Sequence, residues 1–246
     1  MKNNRVISWF SCGAASAYAT FLAHKKYNGN IEAVYCKVAE EHPDNLRFLR
    51  QFEEKTGIPV KIIGDADKKY SIYDVFKSRK FIKGQTGAPC TMVLKKDVRK
   101  KYQQHADTQI FGYTVEEQHR ADRFIDSNNE VDTDFILIDE NITKKDCMDW
   151  FQSMGFDMPT MYKLGYPNNN CVGCVKGGMG YWNHIRKDFP ETFEKMARLE
   201  RQLGHAICKD KNGAVYLDEL DPKRGNFKRD APGDCGFTCE WKKENN

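Results

Sequence analysis

Residues 5–16, RVISWFSCGAAS, decide the fold of this chain. The first six are an apolar run of strand length, and the residues after 16 continue in helical period. The stretch therefore predicts a buried strand, a tight loop and a helix. Small residues let the backbone approach an anion, and hydroxyls and the free N–H groups of a helix start donate to it. The predicted phosphate-binding loop consists of Ser11, Cys12, Gly13, Ala14, Ala15 and Ser16.

Strand-like and helical segments alternate outward from this loop. Alternation of this kind predicts crossover units and a parallel sheet with helices on both faces, hence an α/β, Rossmann-like fold. Ligands of such a sheet bind beyond the carboxyl ends of its strands, where the strand order reverses. The four further strands are predicted at residues 32–37, 59–63, 108–113 and 134–138.

Residues 157–246 differ in texture from the first part of the chain. They are rich in Gly, Asn and Cys, apart from one helical stretch near PETFEKMARLERQLG. Loop-forming composition of this kind predicts few regular elements. We therefore expect a nucleotide-binding domain at 1–156 and a cysteine-bearing extension at 157–246 packed on it.

Composition restricts the class of protein. Apolar residues make up 40% of the 246 residues, which suffices for a real core. The net charge of +4 does not indicate a nucleic-acid partner, although it permits one. The sequence has no apolar run of membrane-spanning length and no signal sequence at its start. We expect a cytoplasmic protein that does not bind a membrane.

Nine cysteines without an export signal argue against a disulfide framework. Cys171 and Cys174 form a C-x2-C pair, and Cys235 and Cys239 form a C-x3-C pair. Thiolates suit zinc or an iron–sulfur cluster, so a metal site is one interpretation of these pairs. A redox role and unligated thiols are the other two.

The loop Ser11-x-Gly13-x-x-Ser16 resembles the SGGxDS pyrophosphate loop of the adenine nucleotide α-hydrolase, or PP-loop, superfamily. The resemblance implies a HUP-type sheet domain and a bound adenine nucleotide: PAPS, APS or ATP. Two residues depart from the pattern. Cys12 stands where ATP-splitting members have Gly, and Ala15 stands where they have Asp.

The cysteines narrow the resemblance to the phosphoadenosine-phosphosulfate (PAPS) reductase-like family. Cluster-bearing members have a Cys-Cys pair, a gap of about 80 residues and a C-x2-C pair. This chain has Cys90-Thr91, and Cys171 follows Thr91 by 80 positions. The resemblance implies a [4Fe–4S] cluster or zinc with ligands among Cys90, Cys171, Cys174, Cys235 and Cys239.

The same family assigns Cys235 a second role. Its reductases end in Glu-Cys-Gly-x-His, which Asp234-Cys235-Gly236 resembles, although Thr238 replaces the His. Cys235 is therefore either a metal ligand or the nucleophile that attacks sulfur. The family likeness also places Lys95 where it would balance phosphate or sulfate charge in catalysis.

A basic segment follows the fourth predicted strand. Gly112 allows close backbone approach there, and Arg120 and Arg123 share one face of the next helix. Strand ends of this kind bind the ligand in a parallel sheet, so Gly112, Arg120 and Arg123 are predicted nucleotide-binding residues.

From these residues we expect an enzyme, either an oxidoreductase or a transferase. The leading hypothesis is a PAPS reductase-like enzyme that acts on a sulfonucleotide with a thioredoxin-like electron donor. One alternative is an ATP-dependent sulfurtransferase that modifies a nucleobase of tRNA or DNA. The other is a non-catalytic nucleotide-binding protein with a structural zinc.

Overall fold

A computed structural model describes residues 5–64, 71–84, 87–233 and 235. The chain forms two compact units that are interleaved along the sequence. Unit 1 contains Met1–Lys37, Pro43–Gly64 and Val98–Lys163, and unit 2 contains Val38–His42, Asp65–Asp97 and Leu164–Asn246. The expected domain boundary after residue 156 stays a prediction.

Unit 1 is built on a parallel five-stranded sheet with the strand order β3-β2-β1-β4-β5. The predicted α/β fold with a parallel five-stranded sheet is confirmed. The strands are β1 (Val6–Phe10), β2 (Glu32–Cys36), β3 (Val60–Ile63), β4 (Thr108–Ile110) and β5 (Asp132–Asp134). Because β1 is central and the chain turns from β3 back to β4, the strand order reverses between β1 and β4.

Side chains of β1 alternate between the two faces of the sheet, and both faces carry helices. The hydroxyl of Ser8 bonds Thr20 of α1 (Ala14–Lys26) on one face, at 2.8 Å. Trp9 points to the other face, where its ring meets Tyr102 of α5 (Asp97–Tyr102) edge-on. All five residues of β1 are buried, as a strand covered on both sides requires.

The larger apolar core of unit 1 lies on the α1 face. Phe10 packs on Phe48 and Phe52 of α2 (Asp44–Thr56), and Phe48 stacks on Phe151 of α8 (Lys144–Ser153). The remaining helices of unit 1 are α6 (Gln118–Ser127), α7 (Ile136–Asp139) and α9 (Thr160–Lys163).

The fifth strand was predicted at residues 134–138, and this position is wrong. β5 covers only Asp132–Asp134, and the apolar residues after Phe135 form α7. Ile136 and Leu137 are buried in the core on the α1 face. A short apolar run fits a strand and a buried helical turn equally well, so periodicity alone misplaced it.

Unit 2 is mainly helical. The turn at Pro89–Thr91, α4, continues into a π-helix at Met92–Lys96. A two-stranded antiparallel hairpin pairs β6 (Cys208–Asp210) with β7 (Gly213–Val215). The other helices are α3 (Ile72–Arg79), α10 (Met179–Asp188), α11 (Pro190–Leu203) and α12 (Phe227–Asp230). Among the helices described here, none has the length and hydropathy needed to cross a bilayer.

Candidate functional site

The predicted phosphate loop connects β1 to α1 in unit 1, next to the position where the strand order reverses. Gly13 is the N-cap residue of α1, has an extended backbone and brings no side chain of its own to the helix start. The N–H of Ala14 donates to the hydroxyl of Tyr162 at 3.3 Å. Tyr162 therefore lies at the loop, and no local sequence pattern predicted it because 148 positions separate the two residues.

Ser16 organises the loop through its hydroxyl. Its Oγ accepts from the backbone N–H and the hydroxyl of Ser11, at 3.0 and 2.9 Å, and donates to the carbonyl of Gly13 at 3.0 Å. The sequence predicted both hydroxyls as donors to an anion. In this structure they instead hold the loop in its turn.

Cys12 has a left-handed backbone, with a φ of 58°, and its side chain is fully buried. Its thiol donates to the carbonyl of Asn45 at 3.5 Å. Glycine adopts this conformation without strain, whereas other residues do so at a cost of about 1 kcal/mol. The conformation gives a physical reason for the Gly at this position in the pattern that the loop resembles.

Gly112 touches the phosphate loop from the end of β4. A Cβ at this position would lie 2.6 Å from both N and Cα of Ser16. Only glycine fits so close to Ser16. The close approach predicted for Gly112 is therefore a contact with the backbone of the phosphate loop.

The two predicted arginines have different surroundings. Arg120 forms an ion pair with Glu117, and its guanidinium lies 4.7 Å from the ring centre of Tyr113. Arg123 is exposed on α6. Arg120 is thus held in place by protein groups, while Arg123 faces solvent.

The second site lies in unit 2, where four cysteines come together. We call Cys90, Cys171, Cys174 and Cys235 the four-thiol group. Burial and then repulsion from Cys235 and Cys174 raise the pKa of Cys90. Burial and charge also raise the pKa of Cys171, with Cys235 and Cys174 among the groups that repel it. The thiols therefore lie near enough for their charges to interact. Cys239 was predicted with them and lies outside the described residues.

Cys235 lies between two polar side chains. Its Sγ is 3.7 Å from the hydroxyl of Thr91 and 3.7 Å from the ammonium of Lys176. Thr91 is the residue at which the resemblance predicted a second cysteine. The thiol of Cys235 therefore stands beside the place where that missing thiol would be.

The C-x2-C turn is fixed by backbone contacts. The N–H of Val172 donates to the carbonyl of Glu40 at 2.9 Å, and the N–H of Cys174 donates to the hydroxyl of Tyr181 at 2.9 Å. Gly173 has a φ of 74°, and a Cβ there would lie 2.7 Å from Thr192. The turn is therefore held in one conformation.

A buried ion pair borders the group. The Nζ of Lys95 lies 3.0 Å from Oε1 of Glu41, and the two side chains are 10% and 3% exposed. Beyond the effect of burial, Glu41 raises and Lys95 lowers the pKa of Cys171. Sequence reasoning reserved the charge of Lys95 for phosphate or sulfate, and it missed Glu41, a partner 54 positions away.

The four thiols are neighbours without being a closed ligand set. In the ranges 5–64, 71–84 and 87–233 and at Cys235, no three Cys, His, Asp or Glu side chains converge closely enough to hold a metal ion. Each of the three thiols Cys90, Cys171 and Cys174 has a raised pKa, chiefly because it is buried. A bound cation would favour the thiolate forms, since opposite charge lowers a thiol's pKa.

Comparison with known proteins gives distant likenesses to solved structures. No protein-family model matches the chain, and no curated protein matches it. Among solved structures, the chain is similar to the U34-tRNA thiolase NcsA from Methanococcus maripaludis with its [4Fe–4S] cluster, at 17% sequence identity and a TM-score of 0.48. The match covers 98% of this chain and 82% of that one. A likeness this distant carries no argument about activity.

Proposed function

We propose that the protein is a nucleotide-dependent sulfurtransferase of the PP-loop type, which replaces a carbonyl oxygen of an RNA or DNA base by sulfur. The observation that carries the proposal is the place of Cys235. Its thiol lies 3.7 Å from the hydroxyl of Thr91, and, beyond the effect of burial, its charge raises the pKa of Cys90, Cys171 and Cys174, so all four thiols lie in one region of unit 2. A thiolate bound to a metal is not free to attack the sulfur of a sulfonucleotide.

The donor set fits an iron–sulfur cluster. Cysteine thiolates are the usual ligands of such clusters, and a cationic centre would favour the thiolate forms of these cysteines. Cys90, Cys171 and Cys174 would hold the cluster, and Cys235 would take the fourth position in the resting protein. The cluster would supply Lewis-acidic iron for sulfide chemistry.

The phosphate loop would bind ATP. The N–H groups and the helix dipole at the start of α1 favour the negative triphosphate, and the hydroxyl of Ser16 keeps Ser11 and Gly13 in the loop conformation. The base's carbonyl oxygen attacks the α-phosphorus, and pyrophosphate leaves. Hydrosulfide then attacks the carbon of this former carbonyl group and loses its proton. AMP leaves and takes the original oxygen with it. No net oxidation occurs, so no electron donor is needed.

A sulfonucleotide reductase is the second candidate, and Lys176 is the observation that favours it. An ammonium 3.7 Å from Sγ of Cys235 would stabilise a thiolate nucleophile. That thiolate would take the sulfo group from the nucleotide and form an S–S bond. A thioredoxin-like dithiol would then release sulfite and become a disulfide.

One anaerobic experiment separates these candidates. Purified protein is analysed for iron, zinc and acid-labile sulfide, and is then incubated with ATP, sodium sulfide and pooled transfer RNA or denatured DNA. We expect iron with sulfide, pyrophosphate release and thiolated nucleic acid on a mercury-affinity gel. Ala15 removes the Asp of the ATP-splitting pattern, so pyrophosphate release is the decisive step.

A parallel incubation contains PAPS or APS with a dithiol. Sulfite in this incubation, without pyrophosphate in the first, would overturn the sulfurtransferase proposal in favour of the reductase. Stoichiometric zinc with neither product would leave a non-catalytic nucleotide-binding protein.

A further inference from the structure

Three asparagines precede the C-x2-C pair in the segment NNNC, and neither the phosphate loop nor the thiols explain them. Asn170 is 5% exposed, and its side chain makes two hydrogen bonds to the chain segment that carries Cys235. Its Nδ2 donates to the carbonyl of Gly233 at 3.0 Å, and its Oδ1 accepts from the N–H of Cys235 at 2.9 Å. A buried amide with both ends used in this way fixes the position and the direction of the bound segment.

We propose that Asn170 is a positioning residue that holds Cys235 in the four-thiol group. The inference rests on the proposed function in one respect, since that function makes Cys235 a metal ligand. Asn170 directly precedes Cys171, so the same backbone carries one thiol and fixes another. Asn168 supports the segment further back, where its Nδ2 donates to the carbonyl of Pro232 at 2.9 Å.

The location of Cys235 gives this contact its importance. Cys171 and Cys174 are buried in unit 2 and Cys90 lies in α4, whereas Cys235 follows α12, the last helix among the described residues. Thr91 and Lys176 contact only its sulfur, at 3.7 Å each. These longer contacts are weaker than the two bonds from Asn170, which hold the backbone that carries this thiol.

The first test uses metal-free protein and needs no activity. Asn170→Ala is compared with the unchanged protein by timed alkylation with iodoacetamide, and the peptide that contains Cys235 is read by mass spectrometry. Fragment ions separate Cys235 from Cys239. Loss of both bonds frees the segment, so we expect Cys235 to react roughly tenfold faster. The labelling of Cys171 should change little.

The control is Asn183→Ala. Asn183 lies in the same unit and donates from its Nδ2 to the carbonyls of Asp221 and Arg224, at 2.9 and 2.7 Å. Asn183→Ala therefore removes two side-chain bonds to the backbone without changing the contacts of the segment that carries Cys235. We expect unchanged labelling of Cys235 in this variant. Equal acceleration in both variants would show general loosening and would overturn the proposal.

The second test uses the metal-loaded protein. Asn170→Ala should lower the iron content per chain, and adding Thr91→Cys should restore it, because a cysteine at 91 supplies a fourth thiol that does not depend on Asn170. Asn170→Asp keeps the acceptor for the N–H of Cys235. Its iron content should lie between those of Asn170→Ala and the unchanged protein. If Asn170→Ala folds, as judged by circular dichroism, and keeps the original labelling rate, Asn170 does not position Cys235, whatever the enzyme's activity.

Discussion

Replacing Gly112 by alanine would place a methyl group against the phosphate loop. The new Cβ would lie 2.6 Å from N and Cα of Ser16, about 0.8 Å short of the 3.4 Å at which ordinary contact begins. Both atoms belong to the backbone of α1, so no side chain can rotate away. Overpacking of this kind costs about 1–3 kcal/mol. For a chain of this size the melting temperature should fall by roughly 2–12 °C.

The same displacement should weaken nucleotide binding. The loop between Ser11 and Ser16 is held by hydrogen bonds of 2.9–3.0 Å, so a shift of α1 at Ser16 disturbs all of them. We expect the Kd for ATP to rise at least about tenfold, which corresponds to 1.4 kcal/mol. Differential scanning fluorimetry with and without ATP, and isothermal titration calorimetry, measure the two effects.

The control for this substitution is Gly233→Ala. A Cβ at Gly233 would meet no atom within 4 Å, so it adds a methyl group without a clash. We expect its melting temperature to stay within about 1 °C of the original, as is usual for surface changes. If Gly112→Ala also keeps the original melting temperature and the original Kd for ATP, the contact of Gly112 with the loop constrains neither stability nor ATP binding.

Three further predictions concern other parts of the molecule. Cys235→Ser should lower the iron bound per chain, and adding Thr91→Cys should restore it. If adding Thr91→Ser restores the iron equally well, a thiol at position 91 does not take over from the thiol of Cys235. Ser16→Ala removes three hydrogen bonds, so urea unfolding should show a loss of about 1–3 kcal/mol, and an unchanged midpoint would contradict the role of this hydroxyl. Burial raises the pKa of Glu200 from 4.5 to about 7, so the folded state binds that proton more tightly than the unfolded chain. The free energy of unfolding should therefore fall between about pH 5 and about pH 7, and Glu200→Gln should flatten that slope.

The sequence predicted the features that depend on local pattern. The apolar run at 5–10, the small residues after it and the helical period beyond them correctly placed β1, the loop and α1. The alternation of elements correctly predicted the parallel sheet. These features follow from periodicity and residue size within one segment, which a single sequence displays.

The missed residues are contacts between distant segments. Tyr162 reaches Ala14 across 148 positions, and Glu41 reaches Lys95 across 54. Asn170 binds the segment of Cys235, 65 positions further on. No local period marks such pairs. The repeated asparagine before Cys171 was the available signal, and polar residues beside a turn are too common to identify a partner.

The π-helix at Met92–Lys96 was also missed. The helical period of MVLKKDVRKKYQQH, residues 92–105, predicts a regular helix, whereas the structure has a widened turn in which Lys95 and Lys96 are buried. Such turns occur mostly as single insertions near functional sites. The ion pair of Lys95 with Glu41 depends on this local geometry, which residue type alone does not reveal.

The interleaving of the two units has a consequence for synthesis on the ribosome. A nascent chain that has reached Lys163 contains every segment of unit 1, together with Val38–His42 and Asp65–Asp97 of unit 2. Phe76 and Ile82 in the second of these segments are fully buried in the finished protein. The residues of unit 2 from Leu164 onward are made after them. At about 5–20 residues per second, these apolar side chains wait several seconds for them, within reach of chaperones and of other nascent chains.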